Sequence, residues 1–358
     1  MKRILLNLTL ILAVLMSACA PVQTVPEGEK KVHEWRLVTH QIEGTSRYDG
    51  TIEPFVESVE EITNGQLVIE PYGADTLFPN NDTFEMVQNG VVEMAAIYTG
   101  FWTGKDPVFN LAGGTIPGDP INGFEEHFYR SERLEPITSK AYEQFGITNL
   151  GAFDYAPEEM LMSRVPIEGI EDFKGKNIRA AGVASSFYGE LGASAISLSA
   201  PEIYTGLQLG TVDAAEFNDF LVNGEMGLDE VTGYVIEPAI HVGPSTDKEL
   251  IVNESAWEQL PEELKAAVYV ARDKVRYESA ISYGVESQRA ETEWRNNPDI
   301  EFIELPEEDI EEMRAIGFEY LLNQREESEL SKEYIDEYAK VLNELGYEEE
   351  AKILEFSE

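Results

Sequence analysis

The chain has 358 residues, and 43% of them are hydrophobic, which is enough for a packed interior and excludes disorder over most of its length. Its formal net charge is −42, from 68 acidic and 26 basic residues, and a surface of this sign repels phosphate backbones and anionic headgroups. A nucleic-acid-binding protein is therefore excluded, and an anionic ligand needs a local, directed cation. The length exceeds what one compact core usually needs, which predicts two lobes.

The first residues are typical of an export signal. A charged start precedes an apolar run that is too short to span a bilayer with ease, and the small residues Ser17-Ala18 follow it. Cys19, the only cysteine, then stands where a bacterial lipobox places the lipidated first residue, although Met16 takes the place of the usual leucine. Plain secretion with an incidental cysteine is the alternative. We expect a signal peptide at 1–18, a tether at 19–34 and a lipid on Cys19 that holds the exported protein in the periplasm or at the outer cell surface.

Strand-like and helix-like segments alternate along the N-terminal half of the chain. The patterns predict, in order, a strand at Trp35–Thr39, a helix at Tyr48–Thr63, a strand at Leu67–Tyr72, a helix from Asp82 to Gln88 and a buried strand at Val91–Tyr98. This alternation predicts an α/β fold with a mostly parallel sheet covered by helices. From Ser255 onward helical patterns predominate, and one alternating strand at Asp299–Pro306 interrupts them.

One segment of the sequence is repeated. Gln88–Ala95 aligns without gaps on Gln208–Ala215, and each copy is typical of a helix end, a glycine that tolerates positive φ and a strand. A generic helix-glycine-strand unit would give the same pattern by chance. The other interpretation is that two similarly built lobes each send a strand toward a shared cleft, because ligands of open α/β sheets lie beyond the carboxyl ends of strands. That interpretation places Tyr98–Trp102 opposite Glu216–Asp219.

The segment Ile170–Gly182 carries a candidate for a ligand-binding cation. A short acidic turn, a glycine and a strand predict that the guanidinium of Arg179 projects from the carboxyl end of a strand, beside the small residues Ala180-Ala181-Gly182. Arginine suits a carboxylate because its planar fork donates two parallel hydrogen bonds. The spacing alone leaves a second interpretation open, in which Arg179 pairs with a structural Asp or Glu.

Two segments, Gly175–Gly182 and Glu202–Glu216, resemble the signature blocks of the solute-binding subunit of tripartite ATP-independent periplasmic (TRAP) transporters. Asn89–Met94 and Gly104–Pro107 also match the usual pattern of that family, in the same order along the chain. The resemblance implies a two-lobed, type II-like periplasmic-binding-protein fold with long C-terminal helices. It further implies a receptor that delivers a small organic acid to integral membrane subunits, with Arg179 as the clamp on the ligand carboxylate.

The resemblance also implies a metal ion. Members of the 2-oxo acid and lactate branch hold a cation beside the ligand, and the corresponding ligands here are Glu159, Glu216 and the carbonyl of Phe217. This sequence departs from that branch, since Glu159 stands where glutamine is common and Phe217 where tryptophan is common. Two carboxylates and a carbonyl form a hard oxygen site suited to Ca²⁺ or Na⁺, and the extra negative charge favours the divalent ion. An exposed loop carboxylate beside Glu158 is the alternative for Glu159.

Aromatic residues are candidates for the apolar wall of the site, because rigid rings supply a dry surface for the tail of a small acid. The candidates are Tyr98, Phe101, Trp102 and Tyr155, and ordinary core packing is the alternative for each. His40 follows the first predicted strand and is a further candidate for the cleft, with a structural histidine as the alternative.

We predict a first lobe of residues 35–154 plus about 243–282 and a second lobe of residues 155–242 plus about 283–345. The sequence carries no serine-hydrolase elbow, phosphate-binding glycine loop or zinc-protease motif, so we expect a binding protein without turnover. Two other functions stay open. One is a solute-binding protein of an ATP-driven transporter, and the other is a secreted hydrolase or lyase that pairs Glu158 or Glu159 with Glu216.

Overall fold

A computed structural model describes residues 31–355, with the exception of 115, 122, 159, 243, 244 and 247. The predicted signal peptide, most of the predicted tether, Cys19 and Glu159 lie outside the described residues. From His33 onward the chain forms one compact unit. Among the described residues, no helix combines the length and the apolar character that a membrane span requires.

The elements are numbered here in chain order. The α-helices of the described residues are α1 Ser46–Thr63, α2 Thr83–Gln88, α3 Phe124–Glu143, α4 Val183–Glu190, α5 Ala200–Leu209, α6 Phe220–Glu225, α7 Glu254–Glu258, α8 Glu262–Asn296, α9 Glu307–Arg325, α10 Glu329–Leu345 and α11 Glu348–Glu355. The strands are β1 His33–Thr39, β2 Leu67–Tyr72, β3 Met94–Ile97, β4 Ile147–Ala152, β5 Ala156–Pro157, β6 Leu161–Ser163, β7 Asn177–Arg179, β8 Ser194–Ile196, β9 Ala214–Ala215, β10 Tyr234–Glu237, β11 Ser245–Thr246, β12 Glu249–Asn253 and β13 Glu301–Glu304.

The first sheet contains five strands in the order β2-β1-β3-β12-β4. β1 pairs in parallel with β2 and β3, whereas β12 pairs antiparallel with β3 and β4. Successive side chains of β1 point to opposite faces of the sheet, because side chains alternate along a strand. Leu37 lies in a hydrophobic cluster with residues of α1 and α8, and Val38 lies in a second cluster with residues of α2, α3 and α10. Both faces of this sheet are therefore covered by helices.

The second sheet contains six strands in the order β13-β10-β6-β9-β7-β8. β6 is antiparallel to both of its neighbours, and the remaining pairs are parallel. Ala214 of β9 packs on the side of α4 and α9, and its neighbour Ala215 packs on the side of α5. The predicted α/β class is confirmed, but both sheets are mixed rather than mostly parallel. β12 enters the first sheet after the chain has left the second sheet, so no strand-helix-strand crossover imposes a parallel direction on it.

Local sequence sets the bounds of α1. The Thr45 side chain accepts a hydrogen bond from the backbone N–H of Tyr48 and caps the first turn, and Asn64 ends the helix in the left-handed conformation. The apolar residues Ile52, Phe55 and Val59 recur at helical spacing and are fully buried. The predicted helix and its stop at Asn64 are therefore found.

The C-terminal helix α10 packs against the first sheet, although the sequence placed this segment in the second lobe. Tyr334, Tyr338 and Leu342 lie in the same hydrophobic cluster as Phe84 and Tyr142. The segment 329–345 thus departs from the predicted lobe division. The amphipathic period of a helix fixes which side is buried, and it contains no information about which sheet receives that side.

The two copies of the repeated segment have the same local structure. α2 precedes Gly90, which has a φ of 66°, and β3 follows; α5 precedes Gly210, which has a φ of 73°, and β9 follows. β3 belongs to the first sheet and β9 to the second. The repeat therefore delivers one strand to each sheet, and the residues after these strands meet in the cavity described next.

Candidate functional site

A cavity of about 490 Å³ is lined by residues that follow strands of both sheets. His40 follows β1 and Tyr98 follows β3, while Arg179 ends β7 and Glu216 follows β9. The cavity therefore lies at the carboxyl ends of strands, where open α/β sheets bind their ligands. Tyr98 and Glu216 both line this cavity, as the sequence predicted. Burial raises the pKa of the Tyr98 hydroxyl well above its usual value, and the Glu216 carboxyl adds to this effect.

Arg179 lies in the wall of this cavity and is 4% exposed. Its Nε donates to the carbonyl of Leu198 at 3.2 Å, and its Nη1 donates to the carbonyl of Glu216 at 2.6 Å and to Glu216 Oε1 at 3.1 Å. Among the described residues, Nη2 has no hydrogen-bond partner. The guanidinium is thus oriented by the protein through two of its nitrogens and keeps its third for another acceptor.

The backbone after Arg179 leaves room beside the guanidinium. Gly182 has a φ of 55°, and a Cβ at this position would lie 2.6 Å from the hydroxyl of Tyr98. Only glycine therefore allows this turn and this approach of β7 to the segment after β3. The Ala181 backbone N–H donates to Glu216 Oε1 at 2.7 Å, which fixes the carboxyl against the same turn.

Three buried side chains converge next to Arg179, namely Glu158, Glu216 and His241. Each offers a donor atom that lies within 4.8 Å of the other two. His241 Nε2 lies 3.3 Å from Glu158 Oε1, and its Nδ1 lies 3.0 Å from the hydroxyl of Tyr188. Burial lowers the pKa of His241 to about 4, so its imidazole is neutral near pH 7.

The carboxyl of Glu216 has a perturbed pKa of about 7. Burial is the main cause, and the neighbouring Glu158 carboxyl adds to it, while Arg179 opposes both. Burial also raises the pKa of Glu158. When both carboxyl groups are ionised, they hold more negative charge than Arg179 balances, and a bound cation would relieve this repulsion.

The predicted cation ligands are only partly described. Glu216 lies in the cavity wall, and so does Phe217, whose ring centroid is 5.3 Å from Arg179 Cζ. Glu159 lies outside the described residues, and the described carboxyl from this loop that lines the cavity belongs to Glu158. Carboxylate oxygens are ligands that Ca²⁺ and Na⁺ accept, so the residues present fit a hard cation.

The aromatic candidates divide into two groups. Tyr98 and Phe101 line the cavity, and their rings meet edge to face with centroids 5.7 Å apart. The described lining does not include Trp102 or Tyr155. Trp102 is buried against Phe84 and donates from Nε1 to the carbonyl of Asn81 at 3.2 Å.

Tyr155 packs instead against His127 and Phe128, with ring centroids 5.1 and 6.1 Å away. Trp102 and Tyr155 therefore pack against other aromatic residues, as the alternative of ordinary packing predicted, and are not among the described residues that line the cavity. His40 lines the cavity as expected, and its Nδ1 accepts from the backbone N–H of Tyr98 at 3.2 Å. This contact joins the residues after β1 and β3.

A second group of charged side chains lines the cavity and was not predicted from the sequence. Arg47 in the first turn of α1 donates from Nε to Asp154 Oδ2 at 3.0 Å and from Nη1 to Asn218 Oδ1 at 2.7 Å. Lys248, just before β12, contributes an ammonium to the same lining. No local sequence pattern identifies this group, because the contacts of Arg47 join residues far apart in the chain.

The fold matches known solute-binding proteins. A TRAP periplasmic solute-binding protein from Pseudoalteromonas atlantica T6c, solved with bound sodium and pyruvate, superposes with a TM-score of 0.80 at 22% identity and covers 92% of this chain and 100% of that chain. A second, from Colwellia psychrerythraea with bound calcium and pyruvate, also gives a TM-score of 0.80 at 22% identity and covers 91% and 100%. The fold is that of TRAP periplasmic solute-binding proteins, and the predicted fold class with long C-terminal helices is confirmed.

The sequence profile of the family described as bacterial extracellular solute-binding protein, family 7 (DctP), matches residues 38–327. This chain belongs to that family. A monocarboxylate 2-oxoacid-binding periplasmic protein from Nostoc sp. is 28% identical over 232 residues, which are 64% of this chain and 62% of the relative. The alignment thus spans less than two thirds of that relative's length.

Proposed function

We propose that this protein is the extracytoplasmic receptor of a TRAP transporter, which captures a small organic acid and delivers it to integral membrane subunits. The observation that carries the proposal is Arg179, a buried guanidinium at a strand end with a terminal nitrogen left without a partner among the described residues. In a chain of net charge −42, such a cation is the local, directed positive charge that a carboxylate requires. The ligand class is a 2-oxo acid, lactate or a similar carboxylate.

Arg179 clamps the ligand carboxylate in this proposal. A carboxylate that accepts from Nη2 gains a charge-assisted hydrogen bond in a site shielded from water. Tyr98, Phe101 and Phe217 supply rigid rings around the acid, and His40 lies in the same wall. Relatives support this ligand class, since the Nostoc protein is named for monocarboxylate 2-oxo acids and two similar folds were solved with pyruvate.

A cation beside the ligand completes the proposed site. Glu216, the carbonyl of Phe217 and Glu159 are the proposed ligands, and Glu158 adds a further buried carboxyl next to Glu216. Two similar structures hold sodium or calcium. The ion would neutralise the excess carboxylate charge and attract the ligand's own carboxylate, and Ca²⁺ suits this oxygen set better than Na⁺ because of its higher charge.

Isothermal titration calorimetry with pyruvate and lactate tests the proposal. We expect Kd values in the micromolar range or below with Ca²⁺ present, and weaker binding after chelation. Arg179→Lys keeps the positive charge but loses the planar guanidinium. We expect this change to cost about 2–5 kcal/mol of binding free energy, because the buried carboxylate of the ligand loses a hydrogen-bond donor of matching geometry. Arg36→Lys is the matched control, because Arg36 is a partly exposed arginine that is paired with Glu93 outside the cavity. Unchanged affinity in Arg179→Lys would refute the clamp.

We further propose that the protein binds its ligand without turnover. Among the described residues, the paired carboxyl groups of Glu158 and Glu216, whose pKa values are both raised, are the feature that would suit a hydrolase or lyase. Under the present proposal these groups serve the cation, so the bound acid is recovered chemically unchanged. Incubation of the purified protein with its ligand, followed by mass spectrometry, checks this, and a new product would favour the enzyme.

We also propose export with a lipid on Cys19, which would keep the receptor near its transporter in the periplasm or at the outer cell surface. The support is the sequence pattern around Cys19. Metabolic labelling with a fatty-acid analogue should mark the wild-type protein and not Cys19→Ser. If neither protein is labelled, plain secretion with an incidental cysteine is the interpretation that remains. We propose in addition that the two predicted lobes close over the ligand in this cavity.

A further inference from the structure

The N-terminus of α1 contacts a segment that belongs to the second sheet. α1 packs on the first sheet, in the hydrophobic cluster of Leu37, whereas α6 follows β9 and packs through Phe220 in the cluster of Ala215. The backbone N–H of Ser46 donates to Glu225 Oε2 at 2.9 Å, and the Ser46 hydroxyl donates to Glu225 Oε1. One carboxylate at the end of α6 thus accepts from both donors of the first residue of α1, where the helix dipole favours a negative charge.

A buried contact lies next to this exposed one. Arg47 is only 3% exposed, and Asp154, which follows β4 of the first sheet, accepts from its Nε at 3.0 Å. The Nη1 of Arg47 donates to Asn218 Oδ1, in the segment between β9 and α6, at 2.7 Å. The buried carboxyl of Asp219 acts electrostatically on the same guanidinium. Arg47 is therefore held by a residue of the first sheet's side and binds a segment of the second sheet's side.

The hydrophobic clusters of the described residues do not join α1 to α6. The buried apolar residues of α1 belong to a cluster of the first sheet, and Phe220 of α6 belongs to a cluster of the second. The long helix α8 contributes to both clusters, through Val275 in one and Trp294 in the other. The contacts of Ser46 and Arg47 with the second sheet's side are hydrogen bonds, which water replaces when the two sides move apart. These contacts therefore suit a closure that is reversible.

The segment that reaches α1 also contains residues of the proposed ligand site. Glu216 and Phe217 are followed directly by Asn218 and Asp219. Asp219 Oδ1 accepts from two backbone N–H groups in the first turn of α6, at 2.8 and 3.1 Å, and Asn223 Nδ2 of α6 donates to the carbonyl of Asn218 at 2.6 Å. A cation or an acid that fixes Glu216 and Phe217 therefore also fixes the start of α6 and, at its end, the carboxylate that contacts α1.

We propose that the polar contacts between the N-terminus of α1 and the segment 218–225 form a clasp, which holds the two predicted lobes together over the occupied cavity. Glu225 is a positioning residue in this clasp, because it is not among the residues that line the cavity and it acts through Ser46. Ligand binding and formation of the clasp favour each other, since the coupling between two sites is reciprocal. This inference rests on the proposed function and adds the step that retains the bound acid.

Stopped-flow tryptophan fluorescence with pyruvate and with lactate, at fixed Ca²⁺, tests the clasp because it separates the two rate constants of binding. Glu225→Ala removes both acceptors of the exposed contact, and we expect the dissociation rate constant to rise about threefold to tenfold. The association rate constant should stay within about twofold, because the clasp forms after the acid has entered the cavity. Glu225→Gln keeps an acceptor but loses the charge, so it should raise the dissociation rate constant by a smaller factor.

A double-mutant cycle connects this effect to Ser46. Ser46→Ala removes the hydroxyl donor, and in that background Glu225→Ala should raise the dissociation rate constant by a smaller factor than in the wild type. Glu43→Ala is the matched control, because Glu43 is an exposed glutamate just before α1 that accepts from the backbone N–H of Gly73 at 2.9 Å, on the first sheet's side. It should leave both rate constants within about twofold. Thermal unfolding without ligand verifies that each variant is folded.

The outcomes separate this inference from the proposed function. If pyruvate or lactate binds in an Arg179-dependent manner and Glu225→Ala leaves the dissociation rate constant unchanged, the inference fails and the proposed function stands. An equal factor for Glu225→Ala with and without the Ser46 hydroxyl would also overturn the clasp. If neither acid binds to the wild type, both fail. Faster dissociation in Glu225→Ala that depends on the Ser46 hydroxyl supports the inference.

Discussion

The two ends of the cavity both contain buried arginine and carboxyl groups, but they differ in the ratio of carboxyl groups to cations. At one end Arg179 faces two carboxyl groups, those of Glu158 and Glu216. At the other end Arg47 and Lys248 approach Asp154, and the buried carboxyl of Asp219 also acts electrostatically on both cations. The first end therefore has an excess of carboxyl groups over arginine and suits a cation, whereas the second holds two cations and two carboxyl groups.

The comparison predicts the largest effect on stability at the second end. Arg47→Met leaves Asp154 buried without its main counter-ion, and we expect it to lower the free energy of unfolding by about 3–5 kcal/mol. Urea denaturation measures this change. Arg36→Met is the matched control, since its partner Glu93 is partly exposed, and it should cost less than about 1 kcal/mol. Equal losses in the two variants would contradict the importance of burial.

At the first end, the titration of Glu216 should make the free energy of unfolding depend on pH. The pKa of Glu216 is about 7 in the folded protein and 4.5 ordinarily, so the folded state binds a proton that the unfolded state has released. The resulting stabilisation is fully present below about pH 4.5 and is lost as the pH rises through about 7.

Glu216→Gln removes this titration. We expect the stability difference between wild type and Glu216→Gln, measured without ligand or metal by urea denaturation, to change by on the order of 2 kcal/mol between about pH 5 and pH 8. The wild type should lose relative stability toward high pH. A difference that stays constant over this range would show that Glu216 is ionised in the folded protein throughout.

A smaller effect is expected where the two segments beside Arg179 meet. Gly182→Ala forces a Cβ to within 2.6 Å of the Tyr98 hydroxyl at a positive φ, and we expect a loss of about 1–3 kcal/mol in the free energy of unfolding. Gly189→Ala is the matched control, because a Cβ there meets nothing within 4 Å in the helix α4, and it should stabilise by about 0.4–1 kcal/mol. Thermal unfolding distinguishes them, and equal shifts would contradict the close approach.

The first end of the cavity could be predicted because its signals are local. Arg179 ends a short strand after an acidic turn, and the repeat around Gly90 and Gly210 identifies the strand before Glu216. The end of a strand fixes where the next side chain can lie. A short sequence pattern is therefore sufficient to predict the position of that side chain.

The second end could not be predicted because it depends on contacts between distant segments. Arg47 meets Asp154 across 107 positions of sequence and Asn218 across 171. Nothing near Arg47 distinguishes a buried arginine from one on a solvated helix face. The same reason explains Trp102 and Tyr155, since an aromatic residue in a loop can face either the cavity or the core.

A crystal structure of the protein grown with Ca²⁺ and pyruvate tests the central claim most directly. We expect the pyruvate carboxylate to lie within hydrogen-bond distance of the guanidinium of Arg179, with the ion held between that carboxylate and Glu216. Pyruvate bound elsewhere, or in this cavity without contact to Arg179, would contradict it.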